Sequence, residues 1–432
     1  MAKPEQGILQ KRTEARRRRL LGYNDGKNRM KRFVLNVSGL FVAIVAVLFG
    51  IPNLYLMAAI LWLIPAASYL MGWLMLGGLT CERALPLSVT AGEAVPLTYR
   101  LGNTSRLPKF YLLVRDVLPR GIAFVGGPPP LVLSLWPGEE GITRCQIEAR
   151  RRGVYAIGPA QIYSTDPLGL RTFVQRMPLL SEMTVYPAVL PIRESWLRGA
   201  AAQGWRGGAS ALTRGAGDDF YGVREYGPGD ELRRVHWRTT ARTGTLAVTE
   251  YAQGVTLDMT LALDLSRAAY LGTGEGEDGA LEYAVTLAAT LADDLLRHGH
   301  TVRLLTAGAR ADESAPASGP QEMPRLLETL ARIQADSLLT LADVLDSDGA
   351  SGGGTATLVT ITPDSRDPRL AQRLEDWQAR GGRCFGFALD AASFRGGYAA
   401  PPAALPAANV RVVRRGDDLR TLLERRDDGW GG

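Results

Sequence analysis

Oxygen-bearing side chains recur at the ends of apolar runs in the C-terminal half of this 432-residue sequence. In "LALDLSRAA" (261–269) Asp264 and Ser266 stand two residues apart, "ITPDS" (361–365) ends another run with Asp364, and "LTLADVL" (339–345) carries Thr340. A carboxylate and a hydroxyl offered from one turn suit a hard cation such as Mg2+, which takes oxygen ligands. Without a cation, the same pair caps the turn. A second stretch, "GVREYGPGDELRRVHWRTTAR" (222–242), gathers Arg224, Arg233, Arg234, Arg238 and Arg242 around Glu225, Asp230, Glu231, His236 and Trp237. Pro228 and Gly229 fit the centre of a type II turn, and Asp230 is placed to N-cap a helix "ELRRVHW" and to reach Arg234. Guanidinium groups fork onto carboxylates, so the balanced charges point to internal ion pairing with Trp237 buried as its anchor. A partner-binding surface and a catalytic site are the other readings of the same density.

Other chemistry finds little support. "GEGEDG" (274–279) matches the spacing of a dinucleotide loop, but Glu275, Glu277 and Asp278 would repel a pyrophosphate, so it reads as a surface loop. The lysines are Lys3, Lys11, Lys27, Lys31 and Lys109, which leaves the C-terminal half without a phosphate-loop or Schiff-base lysine. No bound nucleotide is expected. There is no Gly-x-Ser-x-Gly elbow. His298 and His300 close an apolar helix pattern, where a C-terminal dipole favours them, and helix capping explains them more simply than a metal pair. Cys81, Cys145 and Cys384 are few and far apart, as reduced, buried thiols would be.

The elements that must position these residues follow from periodicity. From residue 255 onward strand patterns alternate with helix patterns: Val255, Leu257, Met259, Leu261 and Leu263 alternate, then come a helix (280–299), strand (301–307), helix (323–334), strand (356–362), helix (368–381), strand (383–389) and helix (417–426). Such alternation predicts a mostly parallel, doubly covered sheet, with ligands collecting at the carboxyl ends of its strands. From about 82 to 193 the pattern is instead period two, as in Val95, Leu97, Tyr99 and Leu101, broken by Gly, Pro and Asn turns, which predicts an antiparallel β-sandwich. Between them, 197–217 is a Gly/Ala/Arg-rich stretch without period and reads as a linker.

The net charge of +6 is uneven. Residues 1–32 hold eleven Lys and Arg against three carboxylates, more excess charge than the whole chain carries, so the remainder is slightly acidic and nucleic acid is not an expected partner. Two uncharged apolar runs follow at 33–49 and 54–78, joined by "GIPN", each long enough for a bilayer crossing. Pro65 is expected to kink the second. The basic tail orients both ends of this hairpin toward the cytoplasm.

The Asp264/Ser266 turn with Thr340 and Asp364 resembles the metal-ion-dependent adhesion site of von Willebrand factor A domains, Asp-x-Ser-x-Ser, with Ala268 in place of the second serine. The 222–242 stretch resembles the signature of domain of unknown function family 58 (DUF58), bacterial membrane proteins often encoded beside MoxR-type AAA+ ATPases. The matching positions are Arg224, Glu225, Tyr226, Gly229, Asp230, Arg234, His236, Trp237, Arg238, Ala241 and Arg242, and "RRGVYAIGPAQIYSTDPLGL" (151–170) is similar to a second family stretch. The resemblance implies a membrane-anchored α+β multidomain chain: basic tail (1–32), transmembrane helical hairpin (33–79), small antiparallel β-sandwich (80–195), linker (196–217), then the signature segment and an α/β doubly wound, von Willebrand factor A-like domain (218–432). It implies a scaffold in the bacterial inner membrane that works with a MoxR-type ATPase and needs no turnover of its own. A divalent-metal hydrolase at Asp264, Ser266 and Asp364 is the rival expectation. A third is a basic tail that senses anionic lipid.

Overall fold

The computed structural model describes residues 29–126, 132–166, 170–192, 212–227, 235–254, 256–274, 276, 278–306, 315–347, 357–363, 366–396 and 409–424. They fall into two compact units. The first comprises Met1–Arg150 and Val154–Val185, and the second Arg151–Gly153 and Tyr186–Gly432.

The first unit opens with α1 (Arg29–Phe49) and α2 (Pro52–Leu76), both long and apolar enough to cross a membrane. Only 11% of the most apolar stretch of each is buried within the protein, which distinguishes them from core helices. The expected four-residue turn is shorter: Gly50, at φ +62°, and Ile51 make the connection, and Pro52 starts α2 where its missing N–H costs nothing. Pro65 lies inside α2, which is a single helix from Pro52 to Leu76.

Only Gly77 and Gly78 separate α2 from the first of eleven strands: β1 (Leu79–Ala84), β2 (Ser88–Thr90), β3 (Ala94–Asn103), β4 (Lys109–Asp116), β5 (Ile122–Val125), β6 (Val132–Leu135), β7 (Glu140–Ala149), β8 (Gly153–Ile157), β9 (Ala160–Thr165), β10 (Thr172–Met177) and β11 (Ser181–Tyr186). Two four-stranded antiparallel sheets, ordered β1-β3-β7-β5 and β10-β9-β4-β6, share one apolar core with β2-β11-β8. The period-two pattern is realised on β3, where Val95, Leu97, Tyr99 and Leu101 all face that core.

An ionic knot crosses it. Arg83 pairs with Asp116 at 2.8 Å with both side chains buried, Tyr99 donates to the second Asp116 oxygen at 2.7 Å, and Arg83 also donates to Ile157 O, Leu179 O and Ser181 Oγ. Burial first, then the Asp116 charge, pushes the Tyr99 hydroxyl far above its ordinary range. Burial likewise raises Cys81 and Cys145 to about 11, and Cys384 of the second unit to about 12, so all three free cysteines are poor nucleophiles.

In the second unit, β12 (Leu212–Glu225) and β13 (Ala247–Gly254) form an antiparallel two-stranded sheet with α3 (Trp237–Thr243) between them. The strand thus takes in the last six residues of the expected linker; residues 193–211 lie outside those described. Next come β14 (Asp258–Leu263), α4 (Ala280–Arg297), β15 (Thr301–Thr306), β16 (Ala317–Ser318), α5 (Met323–Arg332), α6 (Leu341–Ser347), β17 (Thr357–Thr362), α7 (Pro368–Ala379), β18 (Arg383–Leu389), α8 (Ala391–Phe394), β19 (Asn409–Val413) and α9 (Leu419–Glu424). The sheet runs β16-β15-β14-β17-β18-β19 and is parallel except at β16. Leu261 and Leu263 enter the core with α4, while Ala262 enters a second core with α6 and α7, so both faces are covered. The short helix α6 and the strands β16 and β19 had no counterpart in the periodicity reading. Within this unit Arg152 donates to Leu330 O (3.0 Å) and Ile333 O (2.9 Å), the orphan carbonyls at the end of α5, and pairs with Glu282 of α4.

Candidate functional site

The chain leaves β14 to one side for β15 and returns on the other for β17, so the sheet order reverses between β14 and β17. Crevices beyond the carboxyl ends of strands at such a switch point are where open α/β sheets hold ligands. Asp264 lies there, 3% exposed, directly after β14. One of its oxygens accepts the Ser266 N–H at 2.9 Å, and the other accepts the Thr362 hydroxyl of β17 at 2.7 Å, which ties the two central strands together across the reversal. Ser266 forms a parallel bridge with Ser337, whose N–H donates to Leu265 O while its own carbonyl accepts the Arg267 N–H. The buried Tyr270 follows one turn later, its hydroxyl raised by burial and then by the Asp264 charge.

Thr340 is occupied differently. Its N–H and hydroxyl both donate to Asp343 Oδ2, at 3.0 and 2.9 Å, and the Asp343 N–H returns to the Thr340 hydroxyl at 3.3 Å. This is a reciprocal capping box at the start of α6. These bonds hold the Asp343 carboxyl below its ordinary range. Asp364 lies outside the described residues, and the side chain of Ala268 offers no ligand atom. Among the described residues no three His, Cys, Asp or Glu side chains cluster for a metal. One carboxylate beside serine and threonine hydroxyls is a meagre donor set for Mg2+, so the described residues do not by themselves fit the ion. Thr362 and Ser337 were not singled out in the sequence. The signal for Thr362 was available, because it ends the apolar run just before "PDS".

His298 caps α4, with its Nδ1 2.7 Å from Asp294 O, and His300 accepts the Leu257 N–H. The two rings therefore serve separate structural contacts. Gly274 and Gly276 adopt φ of +89° and +134°, and a Cβ on Gly279 would stand 2.6 Å from Gly274 O, so tight chain packing accounts for glycine in this loop.

In the described part of the 222–242 stretch, backbone bonds form a knot around the buried Val235. Arg224 and Glu225 pair with Val248 and Ala247 of β13, and Val235 bridges to Val248 from the opposite side, burying Ala247 and Val248. Tyr226 N–H donates to Leu246 O, His236 N–H donates to Ala247 O, and Ala247 N–H donates to Thr240 Oγ1. Most of the expected helix (231–237) lies outside the described residues, and the helix that is described runs from Trp237 to Thr243. His236 is its N-cap, with Nδ1 accepting the Thr239 N–H at 3.2 Å, because Val235 is held extended by its bridge. Gly244, left-handed at φ +76°, ends it. Trp237 is 68% exposed, which overturns its expected burial as an anchor: α3 buries no side chain, and Val235, Ala247 and Val248 supply the apolar anchor instead. Arg238, Ala241 and Arg242 are exposed beside it. Arg224 donates to Glu225 O at 2.8 Å. Pro228, Gly229, Asp230, Glu231, Arg233 and Arg234, and with them the expected turn and most of the ion pairs, lie outside the described residues.

Residues 222–380, which contain both this knot and the switch point, match the family model described as "Protein of unknown function DUF58". The chain is 22% identical over 250 residues to the uncharacterized protein YeaD of Bacillus subtilis (strain 168), a match that spans 57% of this chain and 60% of YeaD. Among solved structures, Salmonella alpha-2-macroglobulin reacted with methylamine overlaps 27% of this chain and 7% of its own at 19% identity and a TM-score of 0.22. The ASH / PapD-like domain of human CEP192 overlaps 26% of this chain and 87% of its own at 11% identity and a TM-score of 0.19. Overlaps at these scores establish neither a shared fold nor a shared activity. Residues 222–380 thus carry the domain of the DUF58 family, and the chain is a distant homologue of the uncharacterised YeaD.

Proposed function

We propose that this protein is a membrane-anchored scaffold whose antiparallel unit is a β-sandwich and whose C-terminal unit is a von Willebrand factor A-like protein-binding domain facing the bacterial cytoplasm. Its partner in this reading is a MoxR-type AAA+ ATPase. The observation that carries it is the outward presentation of Trp237, Arg238 and Arg242 on a short helix tied to Ala247 of β13 by the His236 N–H at its start and by the Thr240 hydroxyl in its middle. Exposed Trp and Arg on a rigid element are the residue types that dominate binding energy at protein interfaces. The basic tail ahead of two apolar helices supports the cytoplasmic orientation.

The test is capture from solubilised membranes by the full-length chain. Recovery of an AAA+ ATPase by the wild type, with loss in Trp237→Ala and in Arg238→Glu/Arg242→Glu, supports the proposal. No ATPase in the wild-type eluate sinks it. A divalent-metal hydrolase is the rival, favoured by the buried Asp264 carboxylate at the switch point. It requires Asp364 to complete the donors, and calorimetry with Mg2+ and Mn2+ decides it: absence of a binding heat removes the reagent on which that reading depends.

A further inference from the structure

The end of the β unit that meets α2 has the composition of a surface resting on lipid. Register places the start of β1, the end of β3, the start of β4, the end of β6, the start of β7 and the β9–β10 junction at this one end. Asn103 ties its loops together, donating to Leu107 O (2.8 Å) and Leu135 O (3.0 Å) while its backbone bonds to Gly138 N and Glu139 O. Thr104 donates twice to Gly78 O, and a Cβ on Gly78 would come within 2.9 Å of Ser105, so the 104–108 loop is pressed against the exit of α2.

Helix α2 itself enters this end without slack. Lys109, fully buried and the only lysine beyond residue 32, donates to Leu74 O at 2.6 Å, where a cation complements the helix C-terminus. Phe173 occupies the space that a side chain at position 72 would need, which requires Gly72, and Arg171 lies over the Tyr69 ring at 5.0 Å. Twenty-five residues make a helix of about 37 Å, whereas the hydrocarbon core is about 30 Å thick, so roughly the last turn projects into the headgroup layer. That turn and the one before it, from Tyr69 to Leu76, are the part fastened to the β unit.

We infer that this end of the β unit seats on the phospholipid surface: Trp136 (62% exposed) and Leu107 (41% exposed) lie in the interfacial layer, and Arg106 and Arg171 meet lipid phosphates. Trp is a residue of the bilayer interface, and arginine forks onto phosphate oxygens. Two carboxylates stand nearby: Glu139 accepts the Trp136 backbone N–H at 2.7 Å, and Glu140 lies 3.9 Å from Arg100. The inference rests on α1 and α2 crossing the membrane, and the test separates the two claims.

The full-length chain is reconstituted in phosphatidylcholine nanodiscs carrying a nitroxide either on the choline headgroup or deep on the acyl chain. Emission of Trp136 is isolated as wild type minus Trp136→Phe, and that of Trp62, near the middle of α2, as wild type minus Trp62→Phe. The expected result is loss of most Trp136 emission to the headgroup nitroxide and of most Trp62 emission to the acyl nitroxide. Arg106→Gln with Arg171→Gln reduces the Trp136 quenching; unchanged quenching overturns the role of the arginines. Trp136 emission untouched beside a quenched Trp62 overturns the seat and leaves the crossing intact. If Trp62 escapes the acyl nitroxide, the crossing fails and the seat with it.

Discussion

Asp116 and Asp264 are both buried carboxylates, but their surroundings differ. Asp116 is met by the Arg83 guanidinium and the Tyr99 hydroxyl, two strong donors from the facing sheet, and is sealed in the middle of the β unit. Asp264 takes a backbone N–H and a threonine hydroxyl at the carboxyl ends of the two central strands of the α/β sheet. The first arrangement locks two sheets together. The second holds a carboxylate at the point where the sheet reverses its order, the place where an α/β sheet interacts with other molecules. A charged group deep in a fold is thus informative about function only through its donors and its position relative to the strand ends.

Substitution breaks or sharpens this contrast. Asp116→Ala leaves Arg83 buried and unneutralised and is expected to cost about 3–5 kcal/mol, read as a lowered urea midpoint and faster hydrogen exchange in β3 and β4. Asp264→Ala leaves the Thr362 hydroxyl and Ser266 N–H without their acceptor, for about 1–3 kcal/mol, with faster exchange confined to β14 and β17. If Asp264→Ala proves the costlier change, the contrast is reversed. Tyr99→Phe removes one hydrogen bond to a charged group and should cost about 1.5–3 kcal/mol, approaching Asp116→Ala only if the network acts as a unit.

Smaller effects follow from the periphery. Burial, and then the charge of His298, lowers the His300 pKa below its ordinary 6.5. The folded state therefore binds the proton less readily than the unfolded chain, so this contribution is complete above the ordinary value and is lost as pH falls through the window beneath it. Stability of the second unit should decline across that window, and His300→Gln should flatten the decline in urea titrations at stepped pH. Trp237→Ala, at an exposed position, should change stability by less than about 0.5 kcal/mol while it abolishes partner capture. A large loss of stability there would return Trp237 to the structural role that its neighbours Val235 and Val248 now fill.

Much of the fold was legible because it is written in local period. The apolar runs before residue 79, the alternation on β3 and the order of strands and helices after β14 each follow from spacing along a short segment. What escaped was short or conditional. The helix α6 is seven residues long and is announced mainly by the Thr340/Asp343 capping pair. The edge strand β16 has two residues. Around 222–242, Trp237 was expected to lie buried beneath the charged residues, but the bridge from Val235 to Val248 comes just before helix α3, which starts at Trp237 and leaves that side chain exposed.

By itself the sequence determined where apolar surface must go: two uncharged runs too long for ordinary strands, a period-two region, and a strand–helix alternation with Asp264 at the close of its first strand. Only the tertiary structure decided that Asp264 meets Thr362, 98 residues further on, that Lys109 ends beside Leu74, and that Trp237 stays exposed. Period is a property of neighbouring residues and the geometry of one element. Partnership between distant residues depends on the order in which strands assemble, and nothing local encodes that order.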